Sequence, residues 1–132
     1  MFAQSKTGLA ADRVYFDDNH DFITKTVGTE YKLRSEFVES LFILSQITQD
    51  PIYTEWGWEV FENINRHCKT QGGFTTVGNV NSVEGDLVDE APSYFTAKTI
   101  KYLFLLFHPD STVDLQKTIL TSGGHLLPIF IE

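Results

Sequence analysis

The sequence has only one cysteine, Cys68, among its 132 residues. A disulfide within the chain is therefore impossible, and there is no CxxC pair or cysteine–histidine spacing of the kind that holds zinc. Free cysteine is among the residue types most often buried in proteins. We therefore predict that Cys68 is a buried apolar residue after a helix rather than a nucleophile.

Basic residues are also scarce. The chain has 10 lysines and arginines against 18 aspartates and glutamates, which gives a formal net charge of −8. The basic residues are scattered along the sequence and form no stripe that could follow a phosphate backbone. The charge therefore argues against a nucleic-acid partner, whereas a carbohydrate or a cation is compatible with it.

Long hydrophobic runs are absent as well. The longest, residues 102–107 and 126–131, are far shorter than the roughly 20 residues that a membrane-spanning helix needs. The first eight residues lack the apolar stretch of a signal peptide. We predict no transmembrane segment and no signal peptide in this chain.

Three segments show the three- and four-residue apolar spacing of amphipathic helices. They are residues 35–49, 51–67 and 92–107. Asp50 and Pro51 supply an N-cap followed by proline at the first helical position. Pro92 opens the third helix, and a second proline, Pro109, ends it.

The remaining segments are rich in turn-forming residues. Residues 1–33 read as an extended lead-in with one short strand, Phe22 to Val27. Residues 70–91 form a long glycine-containing loop with a possible β-ribbon. Two short apolar segments follow, at 115–120 and 126–131. The pattern predicts an all-α fold of helical hairpins that need further helices to cover them, with a small irregular or β-ribbon region.

Two carboxylates at the start of the first predicted helix are candidates for chemistry. Glu36 and Glu39 are three residues apart, so both project toward one side of the first turns. The positive end of the helix dipole favours the ionised form of a carboxylate there, which suits Glu36 to be a base. Acidic residues in a first turn are also ordinary capping chemistry, and the spacing alone favours that interpretation.

Four segments carry a resemblance to a known family. They are YKLRSEFVESLF at 31–42, TQDPIYTEWGWE at 48–59, SYFTAKTIKYL at 93–103 and TSGGHLLPI at 121–129. In this order they resemble glycoside hydrolase family 47, the class I α-1,2-mannosidases, across roughly residues 8–131. The resemblance implies that residues 1–132 are the C-terminal hairpins of a catalytic domain, an incomplete (αα)7 barrel whose upstream hairpins are missing from this chain.

The resemblance also implies an activity. Members of the family remove terminal α-1,2-linked mannose from high-mannose N-glycans with inversion, using Ca²⁺. Inversion requires one carboxylic acid for the leaving group and a base that activates water. Because the family's general acid belongs to earlier hairpins, we expect the isolated chain to be inactive. A high-mannose N-glycan is the implied partner, and the endoplasmic reticulum, the Golgi or secretion is the implied location.

Carried over position by position, the resemblance assigns five site residues. Glu36 matches the catalytic base, and Arg34 and Glu39 match residues that line the sugar subsite. Tyr94 matches the aromatic residue beneath the bound mannose. Ser122 matches the threonine that binds calcium directly. If these residues are parts of one site, the start of the first helix, the start of the third helix and the Ser122 loop must converge.

Three positions depart from the family pattern. Ser35 stands where the family usually has proline, and Lys98 and Gly123 each replace a glutamate near the metal. The lost carboxylates predict a weakened calcium site. Lys98 is also expected to form an ion pair with Glu36 or Glu39. His125 is expected to be a structural hydrogen-bonding residue, because imidazole is a poor calcium ligand.

Two alternative functions remain open from the sequence. A degenerate, non-catalytic relative could retain Arg34, Glu36, Glu39 and Tyr94 as a mannose-binding surface, and the two lost glutamates favour that hypothesis. The second alternative is a helical scaffold that docks its aromatic-rich face on another subunit.

Overall fold

The computed structural model describes residues 5–23, 27–84, 86–109 and 113–130, without the side chains of Asp17 and residues 20–23. The described residues form α1 (Glu36–Thr48), α2 (Ile52–His67), a π-helix (Phe95–Ile100) and α3 (Lys101–Phe107), which continues the π-helix directly. Three antiparallel hairpins complete the structure. They pair β1 (Tyr15–Asp17) with β2 (His20–Ile23), β3 (Thr76–Val77) with β4 (Leu87–Val88), and β5 (Thr118–Leu120) with β6 (Leu126–Pro128).

The chain divides into two compact units. The first unit comprises residues 1–33 and 58–92, and the second comprises residues 34–57 and 93–132. Helix α2 passes from the second unit into the first between residues 57 and 58. All five site residues predicted from the sequence belong to the second unit; they are Arg34, Glu36, Glu39, Tyr94 and Ser122.

The first unit is held together by contacts between its lead-in, α2 and the β3 strand. Tyr31 and Val77 exchange two backbone hydrogen bonds of 2.7 and 3.0 Å. Cys68 is fully buried after α2, which confirms its predicted environment, and this burial raises the pKa of its thiol to about 12. The core of the unit also contains Leu9, Leu33, Val60, Ile64, Val77 and Val80.

The second unit is built on the packing of α1 against the π-helix and α3. The buried residues of α1 recur at three- and four-residue spacing, and the ring of Phe42 lies 5.8 Å from that of Tyr102. Gly57 permits close packing of α2, because a β-carbon there would collide with the side chain of Leu106. The Asp50 carboxylate caps α2 by accepting a 3.0 Å bond from the Ile52 N–H, as the sequence predicts.

The three predicted helices are confirmed, with one difference in the third. Its first part is a π-helix, and α-helical geometry begins only at Lys101. The all-α expectation is too simple, because the molecule is mostly helical with three small hairpins. The ribbon expected within residues 70–91 is the β3–β4 hairpin, and the two apolar segments near the C-terminus pair as β5–β6. Backbone groups in such connections need hydrogen-bond partners, and strand pairing supplies them.

The lead-in also differs from expectation. A single strand was expected from Phe22 to Val27, but the structure has a hairpin whose second strand ends at Ile23. Residues 24–26 of the expected strand lie outside the described part of the chain.

Several large apolar side chains are exposed, as expected for helices that need further covering. They include Phe37, Trp56, Trp58, Phe104 and Phe130. Within the ranges that the structure describes, no helix has both the length and the apolar character to cross a membrane.

Candidate functional site

The first turn of α1 presents the two candidate carboxylates. Glu36 is the first residue of the helix and is exposed, whereas Glu39, one turn later, is half-buried. Both line an open concave surface of about 520 Å³, together with Ser40, Ile43 and Leu44. The two carboxylates therefore share one side of α1, as their spacing predicts.

Ser35 at the helix start does not act as a conventional cap. It is 1% exposed, and its hydroxyl has no hydrogen-bond partner among the described residues. Only its backbone carbonyl supports the helix, by accepting a 2.8 Å bond from the Glu39 N–H. A buried hydroxyl without a partner normally costs free energy, so serine is a poor occupant of this position.

Both carboxylate oxygens of Glu39 are engaged. The Tyr102 hydroxyl donates a 2.9 Å hydrogen bond to Oε1, and the Lys98 ammonium lies 3.2 Å from Oε2. The ion pair predicted for Lys98 is thus confirmed, with Glu39 as its partner. Burial, the hydrogen bond to Glu39 and the negative charge of Glu39 together raise the pKa of Tyr102 well above its usual value.

Tyr94 immediately precedes the π-helix that contains Lys98, and its side chain is half-buried. Single-turn π-helices are rare and occur frequently at functional sites. The change to α-helical geometry falls between Ile100 and Lys101. Lys98 therefore lies in the π-helix, and Lys101 is the first residue of α3.

Ser122 lies exposed in the turn between β5 and β6. Thr121 closes this turn, since its backbone carbonyl accepts a 2.8 Å bond from the Gly124 N–H and its hydroxyl accepts a 3.1 Å bond from the His125 N–H. Gly124 has a positive φ of 76°, and a β-carbon there would lie 2.5 Å from the Ala97 carbonyl oxygen. We call residues 121–125 the site turn.

The site turn and the first turn of α1 contact the same helical segment. Lys101 donates a hydrogen bond from its ammonium to the Gly124 carbonyl, and Lys98 holds Glu39. The elements that the sequence analysis expected to converge are therefore linked through residues 97–102. Arg34 is exposed just before α1. That Arg34, Glu36, Glu39, Tyr94 and Ser122 act together on one sugar stays a prediction.

The described residues form no cluster of acidic side chains that could bind calcium. In the described part of the chain, no group of three or more histidine, cysteine, aspartate or glutamate side chains could hold a metal. The Gly124 carbonyl and the Glu39 carboxylate already accept from lysine ammonium groups. The Thr121 hydroxyl accepts from two backbone N–H groups. Calcium needs six to eight oxygen ligands, and adjacent positive charge opposes its binding.

Sequence reasoning missed Tyr102, Lys101 and Gly124 as members of this network. Tyr102 carried a usable signal, because a tyrosine within an apolar helix face needs a partner for its hydroxyl. Neither Lys101 nor Gly124 could be identified this way, since their contact joins residues that are 23 positions apart in the chain.

Comparison with known proteins identifies the family to which this chain belongs. Residues 1–129 match Glycosyl hydrolase family 47, and the chain belongs to this family. Human mannosyl-oligosaccharide 1,2-alpha-mannosidase IC is 35% identical over 129 residues, which are 97% of this chain and 20% of the human protein. The endoplasmic reticulum mannosyl-oligosaccharide 1,2-alpha-mannosidase of Schizosaccharomyces pombe is 39% identical over 135 residues, covering 97% of this chain and 26% of that protein.

A solved structure supports the same fold. The alpha-1,2-mannosidase from Trichoderma reesei superposes with a TM-score of 0.74 and 24% sequence identity, over 83% of this chain and 24% of that one. The chain thus spans only about a fifth to a quarter of the length of these relatives.

Proposed function

We propose that this chain contributes the general base to an active site that removes terminal α-1,2-linked mannose from high-mannose N-glycans with inversion. The observation that supports this most directly is the contrast between the two carboxylates of α1. Glu36 is exposed and lines an open concave surface. Glu39, by contrast, has both oxygens engaged. An inverting base must be free to take a proton from water, which suits Glu36 and not Glu39.

The remaining proposed residues bind the sugar. Arg34, which is exposed just before α1, would donate hydrogen bonds to mannose hydroxyls, and Glu39, which is held in a fixed position, would accept them. The ring of Tyr94 would pack against the apolar face of the sugar, as aromatic side chains with a polar tip commonly do. Ser122 would hold calcium through its hydroxyl, and no catalytic step is assigned to the metal.

The general acid is expected elsewhere in the barrel. We propose that residues 1–132 are the C-terminal part of the catalytic domain and that the chain alone binds mannose without hydrolysing it. Several relatives are named endoplasmic reticulum mannosidases, so a location in the secretory pathway belongs to the same proposal.

A second candidate function is recognition of mannose glycans without hydrolysis even in a complete barrel. The Lys98–Glu39 ion pair favours it, because it places a positive charge where the family pattern has a carboxylate. Both candidates predict mannose binding, and they differ in whether a complete barrel hydrolyses it.

Two experiments test these proposals. Saturation-transfer NMR should detect binding of α-1,2-mannobiose to this chain, and Tyr94→Ala and Arg34→Ala should weaken the binding. Glu62→Gln, an exposed carboxylate on α2, is the matched control that should leave it unchanged. Equal binding by the wild type and both site variants would exclude this sugar site.

The second experiment replaces the corresponding segment of the Trichoderma reesei enzyme with this chain. Hydrolysis of α-1,2-mannobiose by this chimera, abolished by Glu36→Gln, would support the enzyme. Binding without hydrolysis would support the recognition function. If Glu36→Gln left hydrolysis intact, Glu36 would not be the base.

A further inference from the structure

The first unit carries another concave surface, which we call the hairpin groove. Its volume of about 430 Å³ falls within the range of roughly 300–1,000 Å³ that is usual for small-molecule sites. All of its lining residues belong to the first unit, so it shares no residue with the concave surface that contains Glu36. Its walls include Thr70, Gly73, Phe74, Leu87, Val88 and Asp89.

Hydrogen bonds fix the two walls of the hairpin groove. The Gly73 carbonyl accepts bonds of 2.7 and 3.2 Å from the backbone N–H and the hydroxyl of Thr70, which closes the bend that forms one wall. The Thr75 hydroxyl donates to the Val88 carbonyl and accepts a 3.3 Å bond from the Glu90 N–H, which joins this bend to the segment that contains β4. A site that is shaped before its ligand arrives loses less conformational freedom on binding.

The lining combines an aromatic ring and apolar side chains with two polar groups. Phe74 is half-buried, and Leu87 and Val88 of β4 are 44% and 40% exposed. The polar groups are the exposed carboxylate of Asp89 and the hydroxyl of Thr70, and both can accept a hydrogen bond from a ligand. The groove therefore suits a ligand that has both an apolar face and hydroxyl donors.

The charges of the hairpin argue against an anionic ligand. No lysine or arginine occurs between residues 70 and 97, whereas the stretch from 84 to 90 has four acidic residues. Like charges repel, so a phosphate or a carboxylate would be disfavoured here. A purely apolar ligand would cover the Asp89 carboxylate without giving it a hydrogen-bond partner, which costs free energy. A neutral sugar avoids both penalties.

We propose that the hairpin groove binds a neutral pyranose sugar. A C–H face of the sugar ring packs against Phe74 and the β4 side chains, and sugar hydroxyls donate to Asp89 and Thr70. A pyranose satisfies the apolar walls and both acceptors at once, whereas a compact cation satisfies only the carboxylate. The inference rests on the lining of the groove and not on the proposed function, so each can fail alone.

NMR titration of the isotope-labelled full chain with methyl α-mannoside tests the proposal. The backbone amide signals of Thr70, Gly72 and Gly73 should shift, with a dissociation constant on the order of 1 mM for a single small sugar. These shifts should persist in Tyr94→Ala, which removes a residue of the other proposed site. Absence of shifts at these three amides, or their loss in Tyr94→Ala, would overturn the proposal.

Two variants test the named contacts. Asp89→Asn removes the charge from an exposed side chain, and Phe74→Leu removes the aromatic ring but keeps an apolar group. Each should weaken binding roughly threefold to tenfold. Asp86→Asn is the matched control, because Asp86 is an exposed carboxylate of the same hairpin that does not line the groove. Equal dissociation constants for Asp89→Asn and Asp86→Asn would contradict the assigned contact.

A cationic probe distinguishes a sugar site from a site that only attracts positive charge. Argininamide should leave the signals of Thr70, Gly72 and Gly73 nearly unchanged at concentrations where methyl α-mannoside shifts them. Sugar binding should also be insensitive to added sodium chloride, since a neutral ligand gains nothing from unscreened charge. If argininamide binds more tightly than the sugar, the groove is a cation site and the proposal is wrong.

Discussion

Tyr102→Phe is the most direct test of the network around Glu39. The substitution removes one hydroxyl that donates a 2.9 Å bond to the carboxylate and keeps the ring, which packs against Phe42 with centroids 5.8 Å apart. Tyr102 is 0% exposed, so no cavity larger than one oxygen atom is created. The change in the free energy of unfolding should therefore come almost entirely from the lost hydrogen bond.

The magnitude follows from the charge and exposure of the partner. Hydrogen bonds to charged groups contribute about 1.5–3 kcal/mol. The Glu39 side chain is 33% exposed and keeps its ion pair with Lys98, so water can replace the lost donor. We therefore expect the lower end, a loss of about 1.5 kcal/mol in the free energy of unfolding.

Urea unfolding of the full chain, followed by circular dichroism, provides the measurement. Tyr53→Phe is the matched control, because Tyr53 is a half-buried tyrosine on α2 whose ring packs on Trp56. A double-mutant cycle with Glu39→Gln should give a coupling energy of about 1 kcal/mol. If Tyr102→Phe costs no more than Tyr53→Phe, or if the coupling energy is zero, the assignment of this hydrogen bond is wrong.

The same residue predicts a dependence on alkaline pH. Since the pKa of Tyr102 is raised in the folded state, the folded chain retains a proton that the unfolded chain releases. The stability that Tyr102 contributes should be fully present below about pH 10 and should decline as the pH rises above it. In Tyr102→Phe this part of the alkaline decline should disappear.

Two further substitutions test the site turn and the start of α1. Gly124→Ala should destabilise the chain by about 1–2 kcal/mol, because the residue has positive φ and the new methyl group would meet the Ala97 carbonyl. Gly72→Ala is the control, because a β-carbon there would have no described atom within 4 Å. Equal urea midpoints for the two variants would contradict the turn geometry. Ser35→Ala should leave stability unchanged or raise it by up to about 1 kcal/mol, the opposite of the usual loss at an N-cap, because the hydroxyl is buried and makes no capping bond. A clear loss of thermal stability in Ser35→Ala would show that this hydroxyl has a partner.

The helices could be predicted from the sequence because their signals are local. Asp50 and Pro51 mark the start of α2, and the spacing of Val38, Leu41 and Phe42 marks the buried face of α1. The π-helix at Phe95–Ile100 could not be predicted, since π-helices are rare and occur mostly as single turns within otherwise α-helical segments.

The site was predictable where one element contains the whole pattern, and also where a substitution within the family pattern located a charge. Glu36 and Glu39 are one turn apart, so their shared surface follows from helix geometry. The ion pair between Lys98 and Glu39 was predicted from a substitution within the family pattern, which located a charge near a carboxylate. The contact between Lys101 and Gly124 had no such signal, because it depends on a positive φ and on chain packing.

The two carboxylates on the first turn of α1 differ in their chemistry because they differ in their partners. Glu39 has two fixed donors, one of them an ammonium, and an engaged carboxylate of this kind is suited to hold a substrate hydroxyl in position rather than to accept a proton. Glu36 lies one turn earlier and is exposed on the same concave surface. Lys98 therefore affects the site through Glu39, whose carboxylate it holds in a fixed position. Under the proposed function, the exposed Glu36 acts as the general base and the engaged Glu39 positions the sugar.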